Sequence, residues 1–247
     1  MSVAIAHRGG NTEAAENTMA AFAAAVRLGY THLETDVHAT ADGVLVAFHD
    51  EDLERMTGLP GGIASRRWAD LAAIELPGGE HIPTLDEVLD GFADRYVNID
   101  PKADGAVVPL AQAIERHAAI DRVCVGSFSD RRTSRLRRTL GPRLCTSPGP
   151  AGVLRVLAAA RGVRVGRLPY GCFQVPPRFG PIRVTASLVR AVQRLGLAVQ
   201  VWTINDRSEM QRLLDLGVDG IMTDDIRLLR DVLVERGRWL PGRPPRA

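Results

Sequence analysis

The chain has 247 residues, of which 45% are hydrophobic and 24% are charged, and its formal net charge is +2. A charge so close to zero gives no reason to expect a nucleic-acid or membrane partner. No apolar run approaches the ~18 residues of a membrane helix, and the N-terminus lacks the basic and apolar segments of a signal peptide. These observations predict a cytoplasmic globular protein without a transmembrane segment, and they leave a homo-oligomer open.

Short β-branched runs alternate with longer amphipathic runs along the whole chain. In chain order the predicted strands are SVAIAH, THLETDVHA, VLVAFH, YVNID, RVCVGSF, RLCT, GCFQVP, LAVQVWTIN and DGIMT, and helical runs such as ENTMAAFAAAVRLG and DRSEMQRLLDLG lie between them. About eight strand–helix units in a chain of this length predict a TIM (β/α)8 barrel. A doubly wound sheet is the alternative, but no Gly-rich dinucleotide turn is present.

The predicted domain boundaries follow from where this alternation stops. Residues 1–240 are expected to form one barrel domain, with residues 51–82 as a short insertion at the rim after the second βα region. Residues 241–247, rich in Pro and Arg, are expected to be a disordered tail.

The first strand ends in His7, Arg8, Gly9 and Gly10. In a TIM barrel the catalytic residues lie at the carboxyl ends of the strands, so His7 and Arg8 are candidate site residues. The two glycines are expected to allow a tight turn and to keep side chains away from a substrate.

Charged residues alternate through two further strands. In THLETDVHA the residues Leu33, Thr35 and Val37 share one face, while Glu34 and Asp36 lie on the other, with His32 and His38. In YVNIDPK the residues Asn98, Asp100 and Lys102 share a face. Unpaired buried carboxylates are costly, so Glu34, Asp36 and Asp100 are expected to converge on one divalent cation, Mg²⁺ or Ca²⁺. The alternative is that Glu34 and Asp36 lie at the rim and pair with a neighbouring Arg or Lys.

Two histidines are placed for proton transfer. His7 ends the first predicted strand and His49 ends VLVAFH, so both are expected beside the carboxylates. Arg8 and Lys102 bring positive charge suited to a phosphate group. Together these residues favour phosphoryl-transfer or phosphodiester chemistry over acyl or hydride transfer.

Two other groups of residues are interpreted as structural. The arginines between Arg131 and Arg143 fit a solvated helix face better than a nucleic-acid site, because no aromatic residues lie among them. Cys124, Cys145 and Cys172 are far apart in sequence and each lies among apolar residues. Their odd number predicts reduced, buried thiols, in keeping with a cytoplasmic location.

The sequence resembles the glycerophosphodiester phosphodiesterase family. HRGG, ENTMAAFAAAVRLG and LETDVHATADGVLVAFHDEDLERMTG carry the resemblance, and IPTLDEVL, NIDPK, GSF, VWTIND and GVDGIMTD extend it over nearly the whole chain. The resemblance implies a TIM barrel that hydrolyses small glycerophosphodiesters to glycerol 3-phosphate and an alcohol.

The resemblance also assigns roles to individual residues. It implies Glu34, Asp36 and Asp100 as metal ligands, His7 and His49 as the acid–base pair, Arg8 and Lys102 as the phosphate clamp, and Trp202 as an aromatic wall against the glycerol. Asp100 departs from the family pattern, where many members have Glu. Two other functions stay open on the same barrel: a lysophospholipase D or cyclic-phosphate-forming activity, and phosphoester binding without turnover.

Overall fold

The computed structural model describes residues 2–180 and 182–242. The strands in these residues are β1 (Val3–Ala6), β2 (His32–Ala39), β3 (Leu45–Ala47), β4 (Glu75–Leu76), β5 (Glu80–His81), β6 (Tyr96–Pro101), β7 (Val123–Val125), β8 (Cys145–Thr146), β9 (Cys172–Val175), β10 (Arg178–Phe179), β11 (Ile182–Arg183), β12 (Ala198–Val201) and β13 (Gly220–Thr223). The α-helices are α1 (Met19–Leu28), α2 (Glu54–Thr57), α3 (Trp68–Leu71), α4 (Leu85–Gly91), α5 (Val107–Arg116), α6 (Asp130–Leu140), α7 (Pro150–Ala160), α8 (Ala186–Gln193), α9 (Arg207–Leu216) and α10 (Ile226–Glu235).

Eight of the strands form a nearly closed parallel barrel. Going round it, β1, β2, β6, β7, β8, β9, β12 and β13 follow one another in chain order, and β13 pairs with β1 from Val3–Gly220 to Ala6–Thr223. At the remaining junction, between β8 and β9, Gly171 N donates to Thr146 O at 3.0 Å. The predicted TIM barrel is therefore confirmed.

The helices pack against the outer faces of the strands, as the sequence pattern predicts. Leu33 and Val37 of β2 are fully buried in the apolar layer between strands and helices. Helix α1 begins after Thr18, whose hydroxyl accepts a hydrogen bond from Ala21 N, and ends at Gly29 with φ +100°. In the part of the chain that the structure describes, no helix is long and apolar enough to cross a membrane.

The segment before α4 departs from the simple alternation. Strand β3 runs antiparallel to β2, so VLVAFH is not a barrel strand. The rim insertion, residues 51–82, holds α2, α3, β4 and β5, and a small apolar cluster that includes Leu53, Ile63 and Leu71 stabilises it. The insertion lies inside the connection from β2 to α4.

The C-terminal segment contacts the barrel as far as the structure describes it. Trp239 packs edge-on against Tyr30 with a centroid distance of 5.2 Å, and Gly242 N donates to Gly29 O at 3.3 Å. The predicted disordered tail, residues 241–247, lies outside the described residues from position 243 onward.

Candidate active site

The turn after β1 holds two of the predicted site residues in a left-handed backbone. Arg8, Gly9 and Gly10 have φ values of +52°, +80° and +89°. His7 Nδ1 lies 2.6 Å from Asp224 Oδ1, just beyond the end of β13. Burial acts to lower the pKa of His7, but Glu34 and the hydrogen bond to Asp224 outweigh it, so the pKa is raised. Asp224 therefore orients the ring and favours its charged form.

Glu34 is a buried carboxylate of the site, with 4% of the residue exposed. Its Oε2 accepts a hydrogen bond from Arg8 N at 2.9 Å and lies 3.8 Å from His7 Nε2. Burial and the neighbouring charge of Asp36 raise the pKa of Glu34. A further positive charge beside Glu34 would therefore stabilise its ionised form.

Asp36 and Asp100 face each other from adjacent strands, at paired positions of β2 and β6. Lys102 Nζ lies between them, 2.6 Å from Asp36 Oδ1 and 2.9 Å from Asp100 Oδ2. Burial acts to lower the pKa of Lys102, but the two carboxylates outweigh it and raise the pKa. The ammonium group is therefore held charged between two acids.

His49 reaches the site from the loop after β3 and not from the end of a barrel strand. The prediction that it ends a strand is wrong in this detail, because β3 stops at Ala47. The His49 ring is held as the His7 ring is, with Nδ1 2.6 Å from Asp50 Oδ1. Arg55 of α2 binds both Asp50 and Glu16, and Glu16 also accepts from Arg8 Nη1 at 3.0 Å. The rim insertion thus connects the two histidine-bearing segments.

A cavity of about 490 Å³ opens at the carboxyl ends of the strands. All eight predicted site residues line it: His7, Arg8, Glu34, Asp36, His49, Asp100, Lys102 and Trp202. Trp202 follows β12 and packs edge-on against Phe128 with a centroid distance of 5.7 Å. One wall of the cavity is therefore charged, and the wall around Trp202 is apolar.

The two predicted phosphate-binding cations already have carboxylate partners. Arg8 Nε lies 3.0 Å from Asp36 Oδ2, although the alignment is not that of a hydrogen bond. Lys102 lies between Asp36 and Asp100. The three carboxylates share these two cations and the adjacent His7, so the wall keeps opposite charges close together in a largely buried space.

The oxygen atoms of the three carboxylates do not form a compact cage. In residues 2–180 and 182–242 the only group of three or more acidic, histidine or cysteine ligand atoms within 4.8 Å of one another belongs to the cysteines. The donor set of Glu34, Asp36 and Asp100 consists of hard oxygens, which suits Mg²⁺ or Ca²⁺. A cation bound there would take water molecules for the rest of its shell.

Three acidic residues of the site carry no role in the sequence-based prediction. Asp224 holds His7, Asp50 holds His49, and Glu16 joins Arg8 to Arg55. Asp50 directly follows His49 in sequence, and Asp224 directly follows the last barrel strand, at the end of GVDGIMTD. An acidic residue at such a strand end is the signal that would have identified Asp224.

Two histidines, three carboxylates and two cations at the mouth of a TIM barrel fit a phosphodiesterase class of protein, and comparisons with known proteins agree. The model of the glycerophosphoryl diester phosphodiesterase family matches residues 7–228. The chain is 42% identical to "Probable glycerophosphodiester phosphodiesterase 2" of Mycobacterium tuberculosis, covering 96% of this chain and 92% of that protein. It is 30% identical to the glycerophosphodiester phosphodiesterase of Caldanaerobacter subterraneus, covering 96% and 99%.

A solved structure gives the same answer. The glycerophosphodiester phosphodiesterase from Thermotoga maritima superposes with a TM-score of 0.78 and 25% identity, covering 94% of this chain and 98% of that one. The chain therefore belongs to the glycerophosphoryl diester phosphodiesterase family and is an enzyme of that class.

Proposed function

We propose that this chain hydrolyses glycerophosphodiesters to glycerol 3-phosphate and an alcohol, with His7 and His49 as acid–base residues and a divalent cation as cofactor. One observation carries the proposal. Each histidine has its Nδ1 2.6 Å from an aspartate oxygen, and both line the cavity that holds the three carboxylates. Cytoplasmic location and self-association stay predictions.

The two histidine–aspartate pairs support proton transfer at Nε2. A ring whose Nδ1–H donates to a carboxylate keeps Nε2 for exchange with a substrate oxygen. One histidine takes the proton from the attacking hydroxyl or water, and the other gives a proton to the leaving alkoxide. The roles exchange when water opens a cyclic phosphate, because each step reverses the proton demand of the previous one.

Arg8 and Lys102 hold the phosphate in this proposal. The guanidinium binds two phosphate oxygens in a fork, and the ammonium group acts as a compact point charge. Both cations lie beside Asp36, so phosphate oxygens replace a carboxylate that already binds them. Trp202 packs against the glycerol carbons on the facing wall.

Glu34, Asp36 and Asp100 would hold the Mg²⁺ or Ca²⁺. When bound, this ion neutralises phosphate charge and makes a coordinated hydroxyl more acidic. The position of the Lys102 ammonium group between Asp36 and Asp100 supports the proposal, because it shows that the two carboxylates accommodate a positive charge.

The test is a pair of single substitutions, His7→Ala and His49→Ala. Each should lower kcat by ~10²–10⁴-fold on glycerophosphocholine, the usual contribution of an acid–base group. The matched control is His81→Ala, because His81 lies on β5 in the rim insertion, outside the cavity. Near-full turnover by either site variant, folded and saturated with Mg²⁺ or Ca²⁺, would show that the assignment is wrong.

The apolar wall favours a second candidate, a lysophospholipase D-like activity. Phe128 and Leu154 line the cavity with 68% and 67% of their surface exposed, and Trp202 packs edge-on against Phe128. An acyl chain on the glycerol would cover this surface. Since full burial of such a side chain is worth ~1.5–3 kcal/mol, partial covering should change kcat/KM by about fivefold or more.

A substrate panel separates these functions. It compares choline, ethanolamine, glycerol and inositol diesters with their lyso-lipid forms, each with Mg²⁺, Ca²⁺ and EDTA. Phe128→Ser and Leu154→Ser should lower kcat/KM for lyso-lipids only, while Val108→Ser, an exposed valine on α5, should not. Equal losses on both substrate classes would exclude an acyl-binding wall. A cyclic phosphate product would identify the phospholipase activity, and no product on any diester would identify a binding protein.

A further inference from the structure

The three cysteines, distant in sequence, meet inside the barrel. Cys124, Cys145 and Cys172 lie on the consecutive strands β7, β8 and β9. The Sγ atom of Cys124 is 3.3 Å from that of Cys145 and 3.5 Å from that of Cys172. All three sulfurs lie within 4.8 Å of one another, and all three residues are free thiols.

Strand register explains why the thiols point into the barrel together. Val123 and Val125 are buried in the outer apolar layer, so Cys124 between them faces inward. Cys124 pairs with Cys145 across β7 and β8. Gly171 completes the arrangement, because a Cβ there would lie 2.7 Å from the Sγ of Cys145. A glycine at this position leaves space that the sulfur occupies.

The sulfur cluster is separate from the charged wall of the cavity at the carboxyl ends of the strands. None of the three cysteines lines that cavity. Gln174, two residues after Cys172, lines that cavity and donates to Asn98 Oδ1 at 2.9 Å and to Gln200 Oε1 at 2.8 Å. Cys172 is buried, and Cys124 and Cys145 are partly exposed.

We propose that Cys124, Cys145 and Cys172 form a second metal site, which binds one soft ion of the Zn²⁺ or Cu⁺ type through thiolate ligands. Thiolates select these ions over Mg²⁺ and Ca²⁺. A Zn–S bond of about 2.3 Å places the sulfurs of a tetrahedral site about 3.8 Å apart. The two measured separations are within half an ångström of that value, so small side-chain rotations bring the ligands into position.

The surrounding charges support binding. Hydrogen bonding with the other two thiols and the positive charge of Arg137 lower the pKa of the Cys145 thiol. The same cluster and burial raise the pKa of the Cys124 thiol. Each thiol that binds the ion loses its proton to solvent as the ion arrives. No electron is transferred in this step.

The test uses the full chain, stripped of metal and kept reduced by a phosphine. Co²⁺, as a probe for Zn²⁺, should give a sulfur-to-cobalt charge-transfer absorption that saturates at one ion per chain, and Zn²⁺ should displace it. Cu⁺ forms the second arm, followed by elemental analysis. Cys124→Ser, Cys145→Ser and Cys172→Ser should each weaken binding by at least ~100-fold, since loss of a ligand costs no less than loss of its supporting group.

Two further measurements keep the result decisive. Asp100→Asn should leave the charge-transfer absorption and its affinity unchanged, because the carboxylates belong to the other site. X-ray absorption on the Zn²⁺-loaded wild-type chain should show three sulfur neighbours, and it needs no folded variant. Three results would each overturn the proposal. The first is no Co²⁺ absorption together with no bound Cu⁺, and the second is serine variants that bind as tightly as wild type. The third is a zinc coordination shell of oxygen and nitrogen.

Discussion

Replacing Asp224 by Asn should remove the carboxylate that orients the His7 ring while His7 itself stays in place. Asp224 accepts from His7 at 2.6 Å and from Asn205 Nδ2 at 2.7 Å. An asparagine fills the same space but carries no charge, and its amide can present an N–H to the ring. The variant therefore keeps the shape of the site while removing the partner that fixes the tautomer of His7.

The size of the effect follows from the contact that is lost. A hydrogen bond to a charged group contributes about 1.5–3 kcal/mol. If this free energy appears in the transition state, kcat falls by about 10- to 150-fold, at one factor of ten for each ~1.4 kcal/mol. The pH dependence changes as well. Because the Asp224 hydrogen bond raises the pKa of His7, its loss lowers that pKa, and the limb of the profile that reports His7 moves to lower pH.

The assay is kcat against pH for wild type, Asp224→Asn and Asp225→Asn, at saturating substrate and cation. Asp225 is the matched control, because it caps α10 by accepting from Leu228 N and does not line the cavity. Asn is an equally good cap, so this variant should keep wild-type activity. A wild-type kcat and an unmoved limb in Asp224→Asn would refute the role of Asp224 in holding His7.

Two further predictions concern stability. Burial lowers the pKa of His32 to about 4. Between pH 6.5 and pH 4 the unfolded chain therefore binds a proton that the folded chain does not bind, and the free energy of unfolding decreases as the pH decreases. Wild type should lose about 2 kcal/mol more unfolding free energy between pH 7.5 and pH 5 than His32→Phe, which keeps the stacking on Tyr96. Urea unfolding at the two pH values measures this difference, and equal losses in the two proteins would contradict the prediction. A Cβ at Gly10 would lie 2.8 Å from Ile226, whereas one at Gly43 would meet open space at a similar φ. Gly10→Ala should therefore cost about 1–3 kcal/mol more than Gly43→Ala in unfolding, and equal costs would show that the contact relaxes freely.

The sequence was sufficient to predict the barrel and the faces of its strands. Alternation in β2 separates Leu33 and Val37, which pack against the helices, from Glu34 and Asp36, which line the cavity. Strand pairing then brings Asp100 beside Asp36. These positions follow from the period of two in a strand and from the rule that parallel strands end at one mouth.

Contacts between distant segments could not be predicted in this way. The pairing of His7 with Asp224 depends on closure of the barrel between its first and last strands, and no local pattern encodes it. Arg55 is brought to Glu16 by the path of the rim insertion. The position of His49 was inferred from a strand that proves to be an antiparallel hairpin arm, because local composition does not distinguish the two directions of pairing.

The two glycines after His7 show how a correct local prediction can have a different physical reason. Both have positive φ values, and a Cβ at Gly9 would lie 2.9 Å from Ala21 of α1, while one at Gly10 would meet Ile226 of α10. The glycines therefore allow the turn to pack between the first and last helices, in addition to any space that they leave for a substrate. This packing fixes the backbone of Arg8, whose N–H binds Glu34, and it holds His7 beside Asp224. The geometry of the charged wall of the cavity thus depends on the same contacts that close the barrel.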